Sequence, residues 1–341
     1  MPLLAVAREL QERGHQSVFI GTRTGFEAKL VPPAGFPLEF IEIGGLNRVG
    51  MLRKLRTLAQ LPFGVRRSAQ LLAKHQASAV FSLGGYAAGP VVMAALWKRL
   101  PLVVMEPNAM PGLTNRQIGR FVNRALLSFS DAARFFPPGK SEITGLPVRP
   151  EFFRIAPKQR DTKLTILITG GSQGSRTLNE AALGSWSYFR EANFPVRFIH
   201  QTGTAAYATL AQKLSESGVE GDVAPFIEDM PAAFARADLV ICRAGAGAVA
   251  ELAASGKPSI LVPFPHSTDQ HQLRNAEAFQ KAGATVLVLD RDMDGGRLFE
   301  EVEKLRSRPE MLQRMGERAR SFAHPDAARH AAGVLETVIT H

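Results

Sequence analysis

The chain has 341 residues, too many for one compact core, and this length predicts two domains of about 150 residues each. With 45% hydrophobic and 21% charged residues, its composition is that of an ordinary globular protein. No apolar run reaches the roughly 18 residues that a membrane span needs, and no cleavable signal pattern opens the chain. We therefore expect a cytoplasmic location.

Basic residues are concentrated in the first half. Residues 1–149 hold 19 Lys and Arg against 8 Asp and Glu, whereas residues 150–341 hold 22 against 23. Residues 51–74 interleave cations with aliphatic side chains, which favours an amphipathic helical hairpin, and we expect residues 48–74 to meet an anionic membrane surface. A solvated helix with one core face is the alternative. Nucleic acid is disfavoured because the interleaved residues are not stacking aromatics.

Short apolar segments alternate with helical patterns along the whole chain. The predicted strands are SVFIG, PLEFIEI, AVFSL, LVVM and ALLSF in the first half, and KLTILITGG, VRFIH, LVICR, SILVPF and TVLVL in the second. This alternation predicts an α/β protein with two doubly wound, Rossmann-like parallel sheets. Residues 145–163 are rich in proline and charge and form the predicted linker. We place the domains at 1–149 and 150–324, followed by a last helix within 325–341.

The two halves begin differently. The second half begins with a strand, a glycine loop and a helix, whereas the first begins directly with the helix pattern MPLLAVAREL. A doubly wound domain normally has a strand and a phosphate-type turn before its first helix. We therefore expect that the first strand and glycine loop of domain 1 are missing, either because Met1 is an internal residue or because of a deletion.

The chain offers few groups for redox or metal chemistry. The single cysteine, Cys242, excludes an internal disulfide and ends the apolar run DLVIC, which predicts a buried strand position. The eight histidines show no paired ligand spacing. We expect neither a bound metal nor another cofactor.

A glycine loop, GGSQGS at residues 170–175, lies between a predicted strand and a predicted helix. Glycines allow a phosphate to approach the backbone closely, and Ser172 adds a hydroxyl donor. A dinucleotide site is the rival interpretation. It is disfavoured because the next strand ends RFIHQTG, without the acidic residue that would bind an adenosine ribose.

The stretch from 244 to 276 combines the groups that a nucleotide-sugar needs. A glycine-rich turn opens a helix, Glu251 lies one turn further on, and a polar cluster follows a strand. Backbone N–H groups at the helix start favour phosphate, and a carboxylate can accept from both ribose hydroxyls. Amide side chains can bond to sugar hydroxyls. The polar cluster consists of His266, Asp269, Gln272 and Asn275.

Several ordered motifs resemble those of the MurG family, the bacterial glycosyltransferases that add N-acetylglucosamine to the lipid-linked muramyl-pentapeptide of cell-wall synthesis. They are LAVARELQERGH (4–15), GGYAAGP (84–90), EPNAMPGLTNR (106–116), GLPVR (145–149), GGSQGSRTLNE (170–180) and the 244–276 stretch. The resemblance implies the GT-B architecture, with two Rossmann-like domains facing a cleft. It also implies that the last helix packs back on the N-terminal domain.

The resemblance implies roles for individual residues. Donor contacts with UDP-N-acetylglucosamine are implied for Asn108, Arg149, Ser172, Ile227, Ala246, Gly247, Ala248, Val249, Ala250, Glu251 and Gln272, with Gln173, Phe226 and Asn275 nearby. The uracil would be recognised mainly through the backbone of Ile227. Gly84, Gly85 and Tyr86 are implied on the acceptor side.

This chain departs from the family pattern in three places. The family's loop histidine, a proposed catalytic or acceptor-site residue, lies in the missing glycine loop. A second histidine is replaced by Met105, and Ala248 stands where a hydroxyl residue is frequent. Glu106 is retained and is a candidate base or orienting carboxylate.

The implied activity is an inverting transfer of N-acetylglucosamine from the UDP-sugar to the muramyl C4 hydroxyl of undecaprenyl-pyrophosphoryl-muramyl-pentapeptide, which converts lipid I to lipid II. The implied place is the cytoplasmic face of the inner membrane, as a peripheral protein with access to a cell-wall synthesis complex. Two alternatives stay open: a transferase of the same fold acting on another lipid such as diacylglycerol, and a non-catalytic fragment that binds UDP-sugar.

Overall fold

The computed structural model describes residues 2–43, 51–85, 87–158 and 161–340. Two compact units divide the chain: unit 1 comprises Met1–Pro147 and Asp326–His341, and unit 2 comprises Val148–Pro325. Across the described ranges, no helix combines the length and the apolar character that a membrane crossing requires.

The elements of the described residues alternate as the sequence predicts. The strands are β1 Phe19–Gly21, β2 Leu38–Phe40, β3 Val80–Ser82, β4 Leu102–Glu106, β5 Arg124–Leu127, β6 Ser141–Ile143, β7 Leu164–Thr169, β8 Val196–Gln201, β9 Glu220–Ala224, β10 Leu239–Cys242, β11 Ser259–Leu261 and β12 Thr285–Leu287. The helices are α1 Pro2–Glu12, α2 Glu27–Leu30, α3 Met51–Lys74, α4 Ala88–Trp97, α5 Leu113–Ile118, α6 Pro150–Phe153, α7 Arg176–Glu191, α8 Thr204–Ser217, α9 Met230–Arg236, α10 Ala246–Ser255, α11 His271–Lys281, α12 Gly295–Arg306, α13 Pro309–Arg320 and α14 Ala327–Thr340. Short 3-10 segments cover Pro32–Ala34, Gly119–Phe121, Ser130–Phe135, Thr268–Gln270 and Asp290–Asp292.

Unit 2 is a doubly wound sheet of six parallel strands in the order β12-β11-β10-β7-β8-β9. This is the Rossmann order, in which the direction of winding reverses between β7 and β10. Both strands are buried along their whole length, as expected for central parallel strands covered by helices on both faces. Cys242 lies at the end of β10 and is buried, which confirms the sequence prediction.

Unit 1 contains two parallel sheets, one of β3-β4-β5-β6 and one of β1-β2. Strand β4 is buried along its whole length. The core on this sheet includes Leu71 of α3 and Val92 of α4, and Ile41, next to β2, belongs to the same cluster. Both units therefore have parallel sheets with helices packed on them, which confirms the predicted α/β class.

Helix α14 packs on unit 1 through a small-residue face that buries Ala331 and Leu335. Glu336 binds the first helix region through two partners, with its Oε2 accepting from Arg13 at 2.8 Å and its Oε1 lying 3.0 Å from the His15 ring nitrogen. The C-terminal helix thus lies against α1, and Glu336 pairs with residues that directly follow α1.

One sequence prediction about local structure was wrong. The segment 51–74 is one helix that continues through Pro62 rather than a hairpin. Proline removes one backbone hydrogen bond but does not reverse the chain, and Gly64, which follows Pro62 in the helix, is buried facing Pro90 of α4. The predicted linker, residues 145–163, contains the boundary between the two units at Pro147 and Val148. The part after this boundary packs into unit 2, because Phe152 is fully buried and lies edge-on to Phe234 at 5.1 Å.

The packing of Phe152 can be tested directly. Phe152→Ala should lower the free energy of unfolding by about 3–5 kcal/mol, the usual cost of removing a buried phenyl ring. Phe153→Ala is the matched control, since Phe153 is only partly buried and should lose less. Thermal unfolding of both variants measures the difference. Equal losses would show that this segment does not belong to the core of unit 2.

Candidate nucleotide-sugar site

The glycine loop, residues 170–175, follows β7 at the switch point of unit 2. Gly171 and Gly174 have φ of 84° and 75°, the left-handed region that side chains disfavour. A Cβ at Gly174 would lie 1.9 Å from the Thr202 carbonyl oxygen, so only glycine fits there. Ser172 is exposed, as is Gln173 beside it, so both predicted donor contacts lie on an accessible turn.

The start of α10 follows β10, the other strand at the switch point. Its N-cap is Gly245, and no side chain caps the helix start. The backbone amides of Ala246, Gly247 and Ala248 therefore lie where a helix dipole favours an anion. Val249 is buried in the core and Ala250 is partly buried. For these two predicted residues, only the backbone is a plausible ligand contact.

Asn275 supports this turn rather than presenting itself to solvent. It is fully buried, and its Nδ2 donates to the carbonyl of Ala244 at 3.2 Å. Asn275 is thus linked to the site by its hydrogen bond to the backbone that precedes α10.

Glu251 lies in the second turn of α10 and is partly buried. Burial raises the pKa of its carboxyl group to about 7, and the nearby Arg149 guanidinium opposes this rise. Arg149 directly precedes α6 and stacks over the Phe152 ring at 5.1 Å. The structure therefore brings together two predicted donor residues that are far apart in the sequence.

Residues 225–229 connect β9 to α9. This segment is called the base loop, after the uracil base that is expected to bind at Ile227. Phe226 is exposed, whereas Ile227 is partly buried, and the Ile227 N–H donates to Gln201 Oε1 at 2.8 Å. The loop thus has an exposed aromatic ring beside an ordered backbone segment, a combination of apolar surface and placed polar groups that suits a base.

A third loop, residues 263–270, follows β11 and leads into α11. Gln272 Oε1 accepts from the Phe264 N–H at 2.9 Å, so this predicted sugar contact also shapes the loop. Asp269 and Gln270 have φ of 49° and 55°, a strained conformation of the kind that concentrates at functional sites. The Arg243 guanidinium lies over the Phe264 ring at 5.5 Å.

Sequence reasoning missed the role of Arg243. This residue follows β10, pairs with Asp290 and donates to the Val262 carbonyl at 3.1 Å, so it ties the end of β10 to the end of β11. Its position directly after a predicted central strand is the signal that could have identified it.

Glu106 ends β4 in unit 1 and organises the loop that follows it. Its Oε1 accepts from the backbone and side-chain N–H groups of Asn108, both at 3.0 Å. Its Oε2 accepts from the Gly112 N–H at 3.0 Å and from Asn115 Nδ2 at 2.9 Å. With both oxygens engaged and only 1% of the residue exposed, the geometry favours an orienting carboxylate over a general base.

The predicted acceptor-side loop follows β3. Gly84 and Gly85 have φ of 80° and 86°, and the Thr114 hydroxyl donates to the Gly85 carbonyl at 3.1 Å. A Cβ at Gly84 would lie 2.9 Å from Asn115 Oδ1, so this loop is joined to the Glu106 network. Tyr86 lies outside the described residues.

Comparisons with known proteins identify the class of fold and of enzyme. The glycosyltransferase family 28 N-terminal domain matches residues 1–127, and the glycosyltransferase family 28 C-terminal domain matches residues 165–331. The fold, the site and these matches define a glycosyltransferase of the GT-B architecture. This confirms the predicted fold class and enzyme class.

Individual relatives show which family of GT-B glycosyltransferases the chain resembles. A Solibacter usitatus protein named "UDP-N-acetylglucosamine--N-acetylmuramyl-(pentapeptide) pyrophosphoryl-undecaprenol N-acetylglucosamine transferase" is 58% identical over 99% of this chain and 92% of its own length. A Myxococcus xanthus protein of the same name is 38% identical over 98% and 88%. The crystal structure of MurG from Acinetobacter baumannii superposes with a TM-score of 0.82 at 30% identity, covering 98% of this chain and 95% of that one. The chain belongs to the MurG family.

The pKa of Glu251 predicts how donor binding depends on pH. Only the ionised carboxylate accepts from both ribose hydroxyls, and with a pKa of about 7 it becomes protonated as the pH falls from 8 to 6. The Kd of the predicted donor, UDP-N-acetylglucosamine, should therefore rise roughly tenfold over this interval, because the competent fraction falls by that factor. Calorimetric titration measures this. Glu251→Gln should bind weakly with a flat profile, and an equally steep profile in that variant would contradict the assignment.

The two left-handed glycines of the glycine loop provide a matched pair of substitutions. Gly174→Ala places a methyl group against the Thr202 carbonyl and should shift the loop, with a large loss of donor affinity. Gly171→Ala points into open space and carries only the conformational strain of about 1–2 kcal/mol. Donor Kd values for both variants test the difference. Similar affinities would show that the contact with Thr202 does not shape the site.

Proposed function

We propose that this protein transfers N-acetylglucosamine from UDP-N-acetylglucosamine to the C4 hydroxyl of the lipid-linked muramyl-pentapeptide pyrophosphate. The observation that carries the proposal is the meeting of the glycine loop and the α10 start at the switch point of unit 2, with Glu251 and Arg149 beside them. The 58% identity to the Solibacter usitatus transferase supports the choice of donor and acceptor.

The proposed reaction is a single displacement with inversion. The acceptor C4 oxygen forms a bond to C1 of the sugar while the bond from C1 to the UDP oxygen breaks, and the hydroxyl proton leaves to a base. Negative charge develops on the diphosphate. The amides at the α10 start stabilise that charge, and Arg149 adds a permanently cationic group near Glu251.

Glu106 is assigned a positioning role in this reaction. Its four hydrogen bonds fix the loop that carries Asn108, the residue predicted to contact the sugar. A loop held by one buried carboxylate presents its amide group in a defined orientation, which is what selective recognition of a sugar hydroxyl needs.

Incorporation of labelled sugar tests the proposal. The protein is incubated with UDP-N-acetylglucosamine and a lipid-linked muramyl-pentapeptide analogue, with diacylglycerol as the competing acceptor. We expect label only in the muramyl lipid, and we propose that EDTA leaves the rate unchanged, because the chain's own groups stabilise the leaving group. Label in diacylglycerol alone would show that diacylglycerol, and not the muramyl lipid, is the acceptor. Donor binding without transfer to either lipid would contradict the catalytic role.

We also propose that unit 1 docks on the cytoplasmic face of the inner membrane, where the lipid acceptor and other cell-wall enzymes are found. Phe63 and Trp97 are 77% and 71% exposed, unusual values for large apolar side chains. They lie on α3 and α4, which border a groove of about 670 Å³ lined by Leu61, Pro62, Val65, Arg66, Met93 and Trp97. An apolar surface flanked by arginine suits an anionic bilayer. The predicted membrane contact also included residues that the structure does not describe, namely residues 48–50 and the side chains of residues 51–59.

Vesicle binding tests this surface. The double variant Phe63→Ala/Trp97→Ala should lose at least about tenfold in affinity for phosphatidylglycerol vesicles, since each ring contributes on the order of 2 kcal/mol when buried. Tyr207→Ala, which removes an exposed ring from unit 2, is the control and should bind normally. Sedimentation with vesicles measures both. Unchanged binding of the double variant would contradict the proposal.

A further inference from the structure

Gln201, the last residue of β8, lies between the glycine loop and the base loop of the proposed donor site. These two loops are far apart in the sequence. Only 2% of the residue is exposed. Its Oε1 accepts from the Ile227 N–H at 2.8 Å, while its Nε2 donates to the Gly171 carbonyl at 2.9 Å and to Thr169 Oγ1 at 3.3 Å. One amide group therefore bonds to the base loop on one side and to the glycine loop on the other.

The backbone that follows Gln201 is in contact with the same two loops. A Cβ at Gly203 would lie 2.3 Å from the Gln173 carbonyl oxygen, so this backbone touches the glycine loop. The Thr202 N–H donates to the Ala224 carbonyl at 3.0 Å, and the Gly203 N–H donates to the Pro225 carbonyl at 3.1 Å. The end of β8 thus packs directly between the glycine loop and the base loop and is in contact with the backbone of both.

A buried polar network holds the end of β8 from behind. Asn179 Nδ2 donates to the Thr202 carbonyl at 2.9 Å, so its Oδ1 faces the His200 ring nitrogen at 2.9 Å. Burial lowers the pKa of His200 to about 4, which keeps the ring neutral at physiological pH, and its Nε2–H donates to Asn179. Because these bonds are buried, the position of Gln201 is fixed by more than its own contacts.

We propose that Gln201 is a positioning residue that sets the spacing between the base loop and the glycine loop, so that the pyrimidine and the diphosphate of one nucleotide are recognised together. This inference rests on the proposed function, because it concerns the donor nucleotide. A glutamine amide matches its three partners, since it offers one acceptor to a backbone N–H and two donors to a carbonyl and a hydroxyl. Methionine has a similar length but offers neither.

The test compares Gln201→Met with Ser259→Ala. Ser259 is fully buried in the same sheet, and its hydroxyl donates to Thr285 Oγ1 at 2.9 Å. It is the first residue of β11, so it lies at the amino end of the strand, whereas the donor loops follow the carboxyl ends. Both variants should lower Tm. Only Gln201→Met should raise the Kd for UDP and the KM for the donor, by about tenfold, the equivalent of one lost hydrogen bond. Its kcat at saturating donor should stay within about twofold of the original protein.

Nucleotide selectivity separates positioning from simple destabilisation. CDP differs from UDP only at the ring edge, so a displaced base loop should reduce the preference for UDP over CDP in Gln201→Met and leave it intact in Ser259→Ala. If Gln201→Met does not fold, Gln201→Glu gives the same comparison, because it keeps the acceptor for Ile227 and loses both donors.

Two results would overturn the inference, and they differ in what else they overturn. If a folded Gln201 variant keeps the affinity for UDP and the preference for UDP over CDP of the original protein, then Gln201 is a purely structural residue, and the proposed function stands. Failure of the original protein to bind UDP would remove the proposed function and the inference together.

Discussion

The reversal of winding between β7 and β10 is the constraint on which the proposed donor site depends. At this point the connections that leave the two adjacent strands run to opposite faces of the sheet, so the turns after them separate and leave an opening at the carboxyl edge. Here those turns are the glycine loop and the start of α10. Two helix starts at one opening provide backbone N–H groups and a favourable potential for a diphosphate.

The rest of the site follows from that placement, with a cost in stability at several positions. Glu251 is held where its carboxyl group is partly desolvated, Asp269 and Gln270 adopt left-handed backbone, and Gly174 lies in direct contact with the next loop. Desolvation of the carboxyl group and left-handed backbone at residues other than glycine are unfavourable for folding alone. Each becomes useful when a ligand supplies hydroxyls, phosphate oxygens and a base to groups that are already in position.

Much of this could be predicted from the sequence. The central strands β4, β7 and β10 are short apolar runs bounded by turn residues, and the motifs at 170–175 and 244–251 identify the loops that the structure brings to one edge. Strand β9, EGDVA, escaped prediction because an edge strand does not need an apolar pattern. Gln201 escaped because its partners include backbone atoms of loops distant in sequence. The hairpin predicted for 51–74 was wrong because interleaved cations and aliphatic residues fit one continuous amphipathic helix equally well.

The most direct test of the central claim is a crystal structure of the protein with UDP-N-acetylglucosamine. The account predicts the diphosphate within hydrogen-bond distance, about 3 Å, of the Ala246 and Gly247 amides, with the ribose hydroxyls on Glu251 and the uracil at the backbone of Ile227. A donor bound at the opposite edge of the unit 2 sheet, or held without contact to the start of α10, would contradict it.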